Sequence, residues 1–118
     1  MSDDLETLVP AWLTLPEAAE QLGVSVNKVG RLLRDRELIA IARGTPRSPH
    51  VPAAFIVHGH VLKGLPGTLT VLHDAGYGDE ESVRWLFSPD EGVGGTPIDA
   101  LAQNRGKEVR RRAQALAF

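Results

Sequence analysis

Residues 13–38, LTLPEAAEQLGVSVNKVGRLLRDREL, constrain the fold more than any other stretch of the chain. The first part predicts a short helix, because Thr14 can cap it and Glu17 follows three residues later, the spacing of a capping box. Gly23 is placed to end this helix. Ser25 can then cap a second helix immediately afterwards. The sequence therefore predicts two short helices joined by a glycine-containing turn.

The second helix, predicted over residues 25–37, has an apolar face and a polar face. At about 100° per residue, Val29, Leu32 and Leu33 share one side and are expected to face the core. The opposite side carries amide and cationic groups, which suit base edges and phosphates: Asn27, Lys28, Arg31 and Arg34. Gly30 lies beside them and costs about 1 kcal/mol of helix propensity. Two interpretations stay open: a solvated face with a tolerated glycine, or a binding face where Gly30 lets a ligand approach the backbone.

The formal charge of −2 hides an uneven distribution of charged residues. Residues 25–50 carry a net charge of +4 and residues 105–118 another +4, whereas residues 1–24 and 51–104 carry −5 each. A nucleic-acid binder needs a local basic surface and not a high overall pI. The two basic segments therefore permit nucleic-acid binding by a chain that is acidic as a whole.

A small basic hairpin is predicted directly after the second helix, over residues 39–52. Ile39 and Ile41 alternate with alanines, as in a short strand, and a return strand follows a loop rich in glycine and proline. Arg43 and Arg47 lie around this loop, where they could reach phosphates or the minor groove. The hairpin is therefore placed like the wing of a winged helix-turn-helix domain.

These residues resemble the helix-turn-helix opening of MerR-like and excisionase-like winged-helix proteins. The likeness rests on Glu17-Ala18-Ala19, Leu22-Gly23-Val24-Ser25, Val29 and the Arg31/Arg34 pair. The whole chain, including GLPGTLTVLHDAGYGDEESVRWLFSPDE and the closing KEVRRRAQALAF, resembles a small actinobacterial family of winged helix-turn-helix DNA-binding proteins with a mycobacterial member. The resemblance implies that the N-terminal half binds double-stranded DNA, in a transcriptional role. Val26 and Gly30 depart from the polar or basic residues of many MerR-like helices, which bears on sequence preference.

The predicted fold is mainly α with a small β-hairpin wing. Residues 1–11 are expected to be a flexible acidic tail, residues 12–57 the winged helix-turn-helix domain and residues 58–118 a helical C-terminal domain of uncertain role. Helices are predicted in this last part from Thr68, Asp79, Thr96 and about Lys107. Residues 53–62, AAFIVHGHVL, fit a short helix followed by a turn.

The Arg110-Arg111-Arg112 run in the last helix has two interpretations. It is either a second phosphate-contacting patch or the solvated face of a helix that packs through its apolar residues. Basic residues interact favourably with the helix dipole near the C-terminal end of a helix, but these arginines are predicted near its start. This position favours the interpretation as a phosphate-contacting patch. The full set of predicted DNA contacts is Ser25, Asn27, Lys28, Arg31, Arg34, Arg43, Arg47, Arg110, Arg111 and Arg112. Bases are assigned to Asn27, Lys28 and Arg31, and phosphates to Arg34, Arg43 and Arg47.

Residues 85–109, WLFSPDEGVGGTPIDALAQNRGKEV, also resemble the toxin-binding region of some bacterial antitoxins. The matching residues, in order, are Trp85, Leu86, Pro89, Gly95, Pro97 and Leu101. The likeness implies a protein partner for the C-terminal half. The competing interpretation is structural, with Trp85 and Leu86 in the core and Gly95 and Pro97 in a loop and a helix cap.

A regulatory site is predicted at Thr7, because a phosphate added there by a Ser/Thr kinase would bring about −1.5 to −2 charge close to the DNA-binding helices. No catalytic residue, cofactor or metal site is predicted. His58-Gly59-His60 has no third ligand linked to it, and the chain has no cysteine. The sequence also shows no signal-peptide pattern and no apolar run near the roughly 20 residues of a membrane helix. A cytoplasmic, nucleoid-associated protein without membrane contact is therefore expected.

Overall fold

The computed structural model describes residues 3–116, and within them the chain forms seven α-helices and five short strands. The helices are α1 (Asp3–Leu8), α2 (Leu15–Leu22), α3 (Val26–Arg34), α4 (Leu65–Asp74), α5 (Asp79–Leu86), α6 (Pro97–Ala102) and α7 (Gly106–Ala115). The strands are β1 (Trp12–Thr14), β2 (Ile41–Arg43), β3 (Ser48–Pro52), β4 (Ile56–Val57) and β5 (His60–Val61). The fold is mainly α with a small antiparallel sheet, which confirms the predicted fold class. Over residues 3–116 no helix combines the length and apolar character needed to span a membrane.

The helix-turn-helix forms as its local signals predict. Thr14 Oγ1 accepts a hydrogen bond from the Glu17 backbone N–H at 3.2 Å, and the Glu17 carboxylate accepts one from the Thr14 N–H at 2.8 Å. Gly23 ends α2 with a φ of 70°, a left-handed conformation that glycine adopts without strain. Ser25 Oγ accepts from the Lys28 N–H at 3.1 Å and so caps α3.

The end of α3 differs from the predicted boundary. The helix stops at Arg34 instead of Glu37, because Asp35 leaves helical geometry and Arg36 has a φ of 58°. Ile39, predicted to begin the wing strand, is a buried core residue, and the strand itself begins at Ile41. The turn after α3 therefore takes residues from both predicted elements.

The wing is part of a three-stranded antiparallel sheet in the order β1-β3-β2. His50 in β3 lies opposite Thr14 on one side and opposite Ile41 on the other. Strands β2 and β3 form the predicted hairpin, and Gly44 enters its tip with a φ of 92°. Strand β1 was not predicted, because three residues carry too little alternation to be recognised before their partner strand is known.

Residues 53–62 form a 3₁₀ turn, Ala53–Phe55, followed by a second hairpin instead of a helix and a plain turn. Strands β4 and β5 pair over two residues each. His58 and Gly59 connect them with φ values of 52° and 80°. The predicted turn at the two histidines is therefore the tip of this short hairpin.

Helix α4 begins at Leu65, three residues before the predicted start at Thr68. Gly64 precedes it with a φ of 87°, and Pro66 lies in the first turn, where its missing N–H costs nothing. Thr68 is fully buried and its hydroxyl donates to the Gly64 carbonyl at 2.9 Å. Helix α6 begins as predicted, with Thr96 as its cap.

One continuous core joins the two predicted domains. Its buried members come from every part of the chain, including Leu5, Leu32, Leu38, Val51, Phe55, Leu65, Leu72, Leu86, Leu101 and Val109. A smaller cluster, made of Ala18, Ala19, Val29 and Ile56, packs α2 against α3 and β4. The winged helix-turn-helix part and the C-terminal helices therefore share one hydrophobic core.

The predicted flexible tail over residues 1–11 is wrong for the residues that the structure describes, while residues 1 and 2 lie outside that range. Residues 3–8 form α1, which packs against α5. Leu5 and Val9 are 3% and 2% exposed, and their spacing of four places both on one side of a helix. Burial of these two apolar side chains outweighs the acidic composition of the segment.

Candidate nucleic-acid interface

The polar face of α3 is solvent-exposed and rich in hydrogen-bond donors. Val29 is fully buried and Leu32 nearly so, while Leu33 is only half-buried. This packing turns the other side of the helix outward, and its exposed residues are Asn27, Lys28, Arg31 and Arg34. None of these three cations forms an ion pair with another described residue. The face therefore offers amide, ammonium and guanidinium groups to a ligand without first breaking a salt bridge.

Gly30 lies on this helix with no packing reason to be glycine. A Cβ built on it would meet only Arg34 Nη1, at 3.7 Å, which is ordinary van der Waals contact with a flexible side chain. Alanine would therefore fit within the protein and would favour the helix. The space around Gly30 is consistent with close approach of a ligand to the helix backbone.

Arg43 forms contacts within the protein, whereas the sequence predicts that it is available to DNA at the tip of the wing. Its guanidinium forms an ion pair with both carboxylate oxygens of Glu6 in α1, with an Nε–Oε2 distance of 2.9 Å. Its Cζ atom also lies 4.8 Å from the centre of the Trp12 ring. The hydrogen bond from Arg43 lowers the pKa of the Glu6 carboxyl below its ordinary value. Arg43 therefore ties the wing to α1.

Arg47 stays at the exposed tip of the wing. Its Nη2 donates to the Ala42 carbonyl at 2.9 Å, which links the two sides of the hairpin. The remaining guanidinium donors have no described acceptor. Arg47 is thus both a brace for the hairpin and the exposed cation of the wing.

The three arginines of α7 point to different neighbours and do not form one patch. Arg112 Nε donates to Asp90 Oδ1 at 2.9 Å, and Asp90 also accepts from the Gly92 N–H and the Trp85 indole. Arg110 lies across the first turn of α4, since its Nη1 is 3.3 Å from a Cβ position built on Gly67. Arg111 is exposed. Arg112 therefore ties α7 to the loop before α6, whereas the sequence predicts a phosphate contact for it.

Several charged residues with defined partners were missed by the sequence interpretation. Glu6 and Arg43 are 37 positions apart, and no local pattern links them. Arg36 bonds to Asp79 at 3.3 Å and connects the end of α3 to the start of α5. Arg105 pairs with Glu108 at 3.0 Å, which lowers the pKa of that carboxyl. Only this last pair has a spacing, three residues within a helix start, that a sequence could have indicated.

The histidines form no metal site among the described residues. His58 and His60 are exposed at the β4–β5 hairpin. Residues 3–116 contain no group of three or more His, Asp or Glu side chains placed to hold a metal ion.

Two capped helices, a glycine turn and a following β-hairpin, which forms a three-stranded sheet with β1, make this chain a winged helix-turn-helix protein. It belongs to the family of the DNA-binding protein Rv2175c. The family model for the "DNA-binding protein Rv2175c, wHTH domain" matches residues 1–56. A second model, the "Rv2175c C-terminal domain of unknown function", matches residues 62–117. The predicted likeness to an actinobacterial winged-helix family with a mycobacterial member is thereby confirmed.

The relatives cover most of the chain. The DNA-binding protein Rv2175c of Mycobacterium tuberculosis (strain ATCC 25618 / H37Rv) is 44% identical over 117 residues, spanning 88% of this chain and 79% of its own length. An NMR structure of Rv2175c superposes with a TM-score of 0.81 at 41% identity and covers 92% of this chain and 82% of that one. The fold and the order of the two parts are therefore shared along nearly the whole length.

Four of the six residues that suggested a toxin-binding region contribute to the fold of the C-terminal half. Leu86, Pro97 and Leu101 are buried, and Trp85 donates its indole N–H to Asp90 at 3.3 Å. The family matches give no support to an antitoxin role. The structural interpretation of these residues is therefore the one to keep.

Proposed function

We propose that the protein binds duplex DNA and acts as a transcriptional regulator. The observation that carries the proposal is the exposed face of α3, which presents three unpaired cations and an amide above a fully buried Val29. The relative named a DNA-binding protein supports the same role. The likeness to MerR-like and excisionase-like proteins stays a prediction. DNA binding implies a cytoplasmic, nucleoid-associated location.

In the proposed complex, α3 enters the major groove, as the second helix of this motif does in general. Asn27, Lys28 and Arg31 approach base edges, while Arg34 contacts a phosphate. The exposed Ser25 at the N-terminus of α3 keeps its capping hydrogen bond and lies where the start of the helix meets the DNA backbone. Gly30 allows the helix to approach the groove closely.

The wing supplies phosphate contacts beside the groove. Arg47 at the exposed tip is the direct contact. Arg43 reaches a phosphate only if it leaves Glu6, so it acts first as a support of the wing. In the C-terminal half, Arg110 and Arg111 remain candidate phosphate contacts, whereas the bond of Arg112 to Asp90 removes it from the proposed interface.

A DNA titration at two salt concentrations tests this function, with wild type compared with Arg31→Ala and Arg31→Lys. Loss of one phosphate-type contact lowers the slope of log K against log salt by about 0.9, and loss of a bidentate base contact costs about 1–3 kcal/mol. Arg31→Lys keeps the charge but loses the planar fork, so it should keep the salt slope and lose sequence discrimination. Salt-insensitive or absent binding by the wild type would exclude the proposed function.

Thr7 is proposed as a phosphorylation site that weakens DNA binding. It is exposed on α1 and adjoins Glu6, the residue that holds Arg43 of the wing. A phosphate of about −1.5 to −2 charge there competes with DNA for the wing cations. Thr7→Glu should bind DNA more weakly than Thr7→Ala, and incubation with a Ser/Thr kinase should modify wild type but not Thr7→Ala. Equal DNA affinities would exclude this regulation.

A further inference from the structure

A basic cavity lies in the C-terminal half, between the starts of α4 and α7. It has a volume of about 370 Å³ and is lined by Lys63, Gly64, Asn104, Gly106, Lys107 and Arg110. No residue of the helix-turn-helix or of the wing lines it. The cavity is therefore separate from the α3 face.

Close packing of two glycines shapes this cavity. A Cβ built on Gly64 would lie 3.5 Å from Gly106 Cα and only 3.0 Å from Leu101 Cδ2. Gly64 also has a φ of 87°, which disfavours other residues. The two helices can therefore start side by side, and the residues around their first turns meet at one opening.

The charge of the cavity is not neutralised by the protein. Lys63, Lys107 and Arg110 form no ion pair with any described residue. Glu108, the acid of α7 next to Lys107, is already engaged, since it pairs with Arg105. Three like charges around one opening repel one another unless an anion lies between them.

Neutral hydrogen-bond donors accompany these cations. Helix α7 is ten residues long and no side chain caps its start, which leaves the N–H groups of Gly106 and Lys107 without a capping partner. At the start of α4 the Leu65 N–H is bonded to the Leu62 carbonyl and Pro66 has no N–H, so only the Gly67 N–H is added there. Asn104 adds a side-chain amide at the rim. The lining thus combines a guanidinium and two ammonium groups with amide donors, which is the donor set that phosphate oxygens accept.

We propose that this cavity binds a phosphate group. The lining has no carboxylate, which would repel an anion, and no aromatic side chain on which a nucleobase could stack. The cavity is therefore suited to the phosphate group and not to a base attached to it. The volume is at the lower end of the roughly 300–1,000 Å³ of small-molecule sites. An adjoining depression shares Lys63 and Asn104 and is lined by His58 and His60, which leaves room for the remainder of a phosphorylated small molecule. The phosphate comes either from such a molecule or from the backbone of bound DNA.

The test is an NMR titration of the full chain with inorganic pyrophosphate at constant ionic strength, with chloride as the reference anion. Pyrophosphate should shift the backbone amide signals of Gly106, Lys107 and Gly67. Arg110→Ala should weaken this binding about tenfold or more, as expected for the loss of a charge-assisted contact. Arg111→Ala is the matched control, because it removes the same charge from the next position of α7 without lining the cavity, and it should change the affinity less than twofold by screening.

A second variant protects the test against a folding defect. Arg110 packs on Gly67, so Lys107→Ala, which alters an exposed side chain of the same cavity, should reproduce the loss with an unchanged melting temperature. Absence of localised amide shifts, or equal losses in Arg110→Ala and Arg111→Ala, would overturn the proposal.

DNA titrations identify the source of the phosphate. If DNA occupies the cavity, pyrophosphate competes with DNA and Arg110→Ala lowers both DNA affinity and its salt slope. If a free phosphorylated molecule occupies it, Arg110→Ala and Arg111→Ala bind DNA alike while only the former loses pyrophosphate. Arg31→Ala should retain pyrophosphate binding in both cases, so failure of the α3 interface is recognised separately.

Discussion

Replacing Gly30 by alanine should stabilise the protein and weaken its binding to DNA. The new Cβ meets only Arg34 Nη1, at 3.7 Å, so no backbone or core atom has to move. Alanine is favoured over glycine in a helix by about 1 kcal/mol, partly through the reduced entropy of the unfolded chain. For a chain of 118 residues this corresponds to a rise in melting temperature of about 4 °C.

The effect on DNA binding has the opposite sign because the methyl group lies on the proposed contact face. If the helix backbone approaches the groove at Gly30, the methyl group overpacks a close contact at a cost of about 1–3 kcal/mol. This cost corresponds to a loss of affinity of about 5- to 150-fold. The rise in stability and the loss of affinity are measured on one sample, by denaturant unfolding and by fluorescence anisotropy with labelled duplex.

Two results would refute this reasoning. Unchanged or tighter DNA binding would show that Gly30 is only a tolerated glycine on a solvated face. A decrease in stability would show that the space around Gly30 is not open. Gly30→Val extends the test, since a larger side chain at a true contact must weaken DNA binding further. The helix propensity of valine is at most about 0.7 kcal/mol poorer than that of alanine, so it is still no worse than that of glycine.

Three further substitutions, and Val26→Ala as a control, test the packing and the ion pairs. Glu6→Gln should lower the melting temperature at neutral pH. The pKa of Glu6 is lowered in the folded protein, so the stabilisation by its carboxylate is lost on protonation, and the melting temperature of the variant should fall less than that of the wild type below pH 4.5. A parallel loss at every pH would contradict this. Arg112→Ala should destabilise the protein by about 1 kcal/mol in denaturant unfolding, since Asp90, with a side chain only 12% exposed, loses its cation. DNA affinity should be unchanged. Weaker DNA binding at unchanged stability would instead show that Arg112 contacts DNA. Val29→Ala should cost about 2–3 kcal/mol by removing fully buried methyl groups, whereas Val26→Ala, at a position 45% exposed on the same helix, should change little.

The helix-turn-helix is predictable because its determinants are local. The reciprocal hydrogen bonds of Thr14 and Glu17 and the cap at Ser25 each join residues three apart. The outward direction of Arg31 and Arg34 follows from helical spacing once Val29 is assigned to the core. Both the predicted helix pair and its exposed polar face therefore depend on neighbours within one or two turns.

The pairings between distant segments were out of reach of the same reasoning. Nothing near Arg43 indicates that Glu6 will bind it, and nothing near Arg112 indicates Asp90, which lies 22 positions away. The helix at residues 3–8 likewise depends on a site for Leu5 that α5 and the core provide only after folding. Composition alone, which is acidic and polar there, predicts the wrong state.

Local sequence thus decides where this chain places its cations and which helix displays them. The tertiary structure decides which of those cations stay available to a ligand. Arg31, Arg34 and Arg47 remain exposed, Arg43 and Arg112 are taken by carboxylates from other elements, and Arg110 joins Lys63 and Lys107 around a cavity. The physical reason is that capping and helical spacing act over a few residues, whereas a partner for a charge, or a cavity for a ligand, is created only when distant segments pack together.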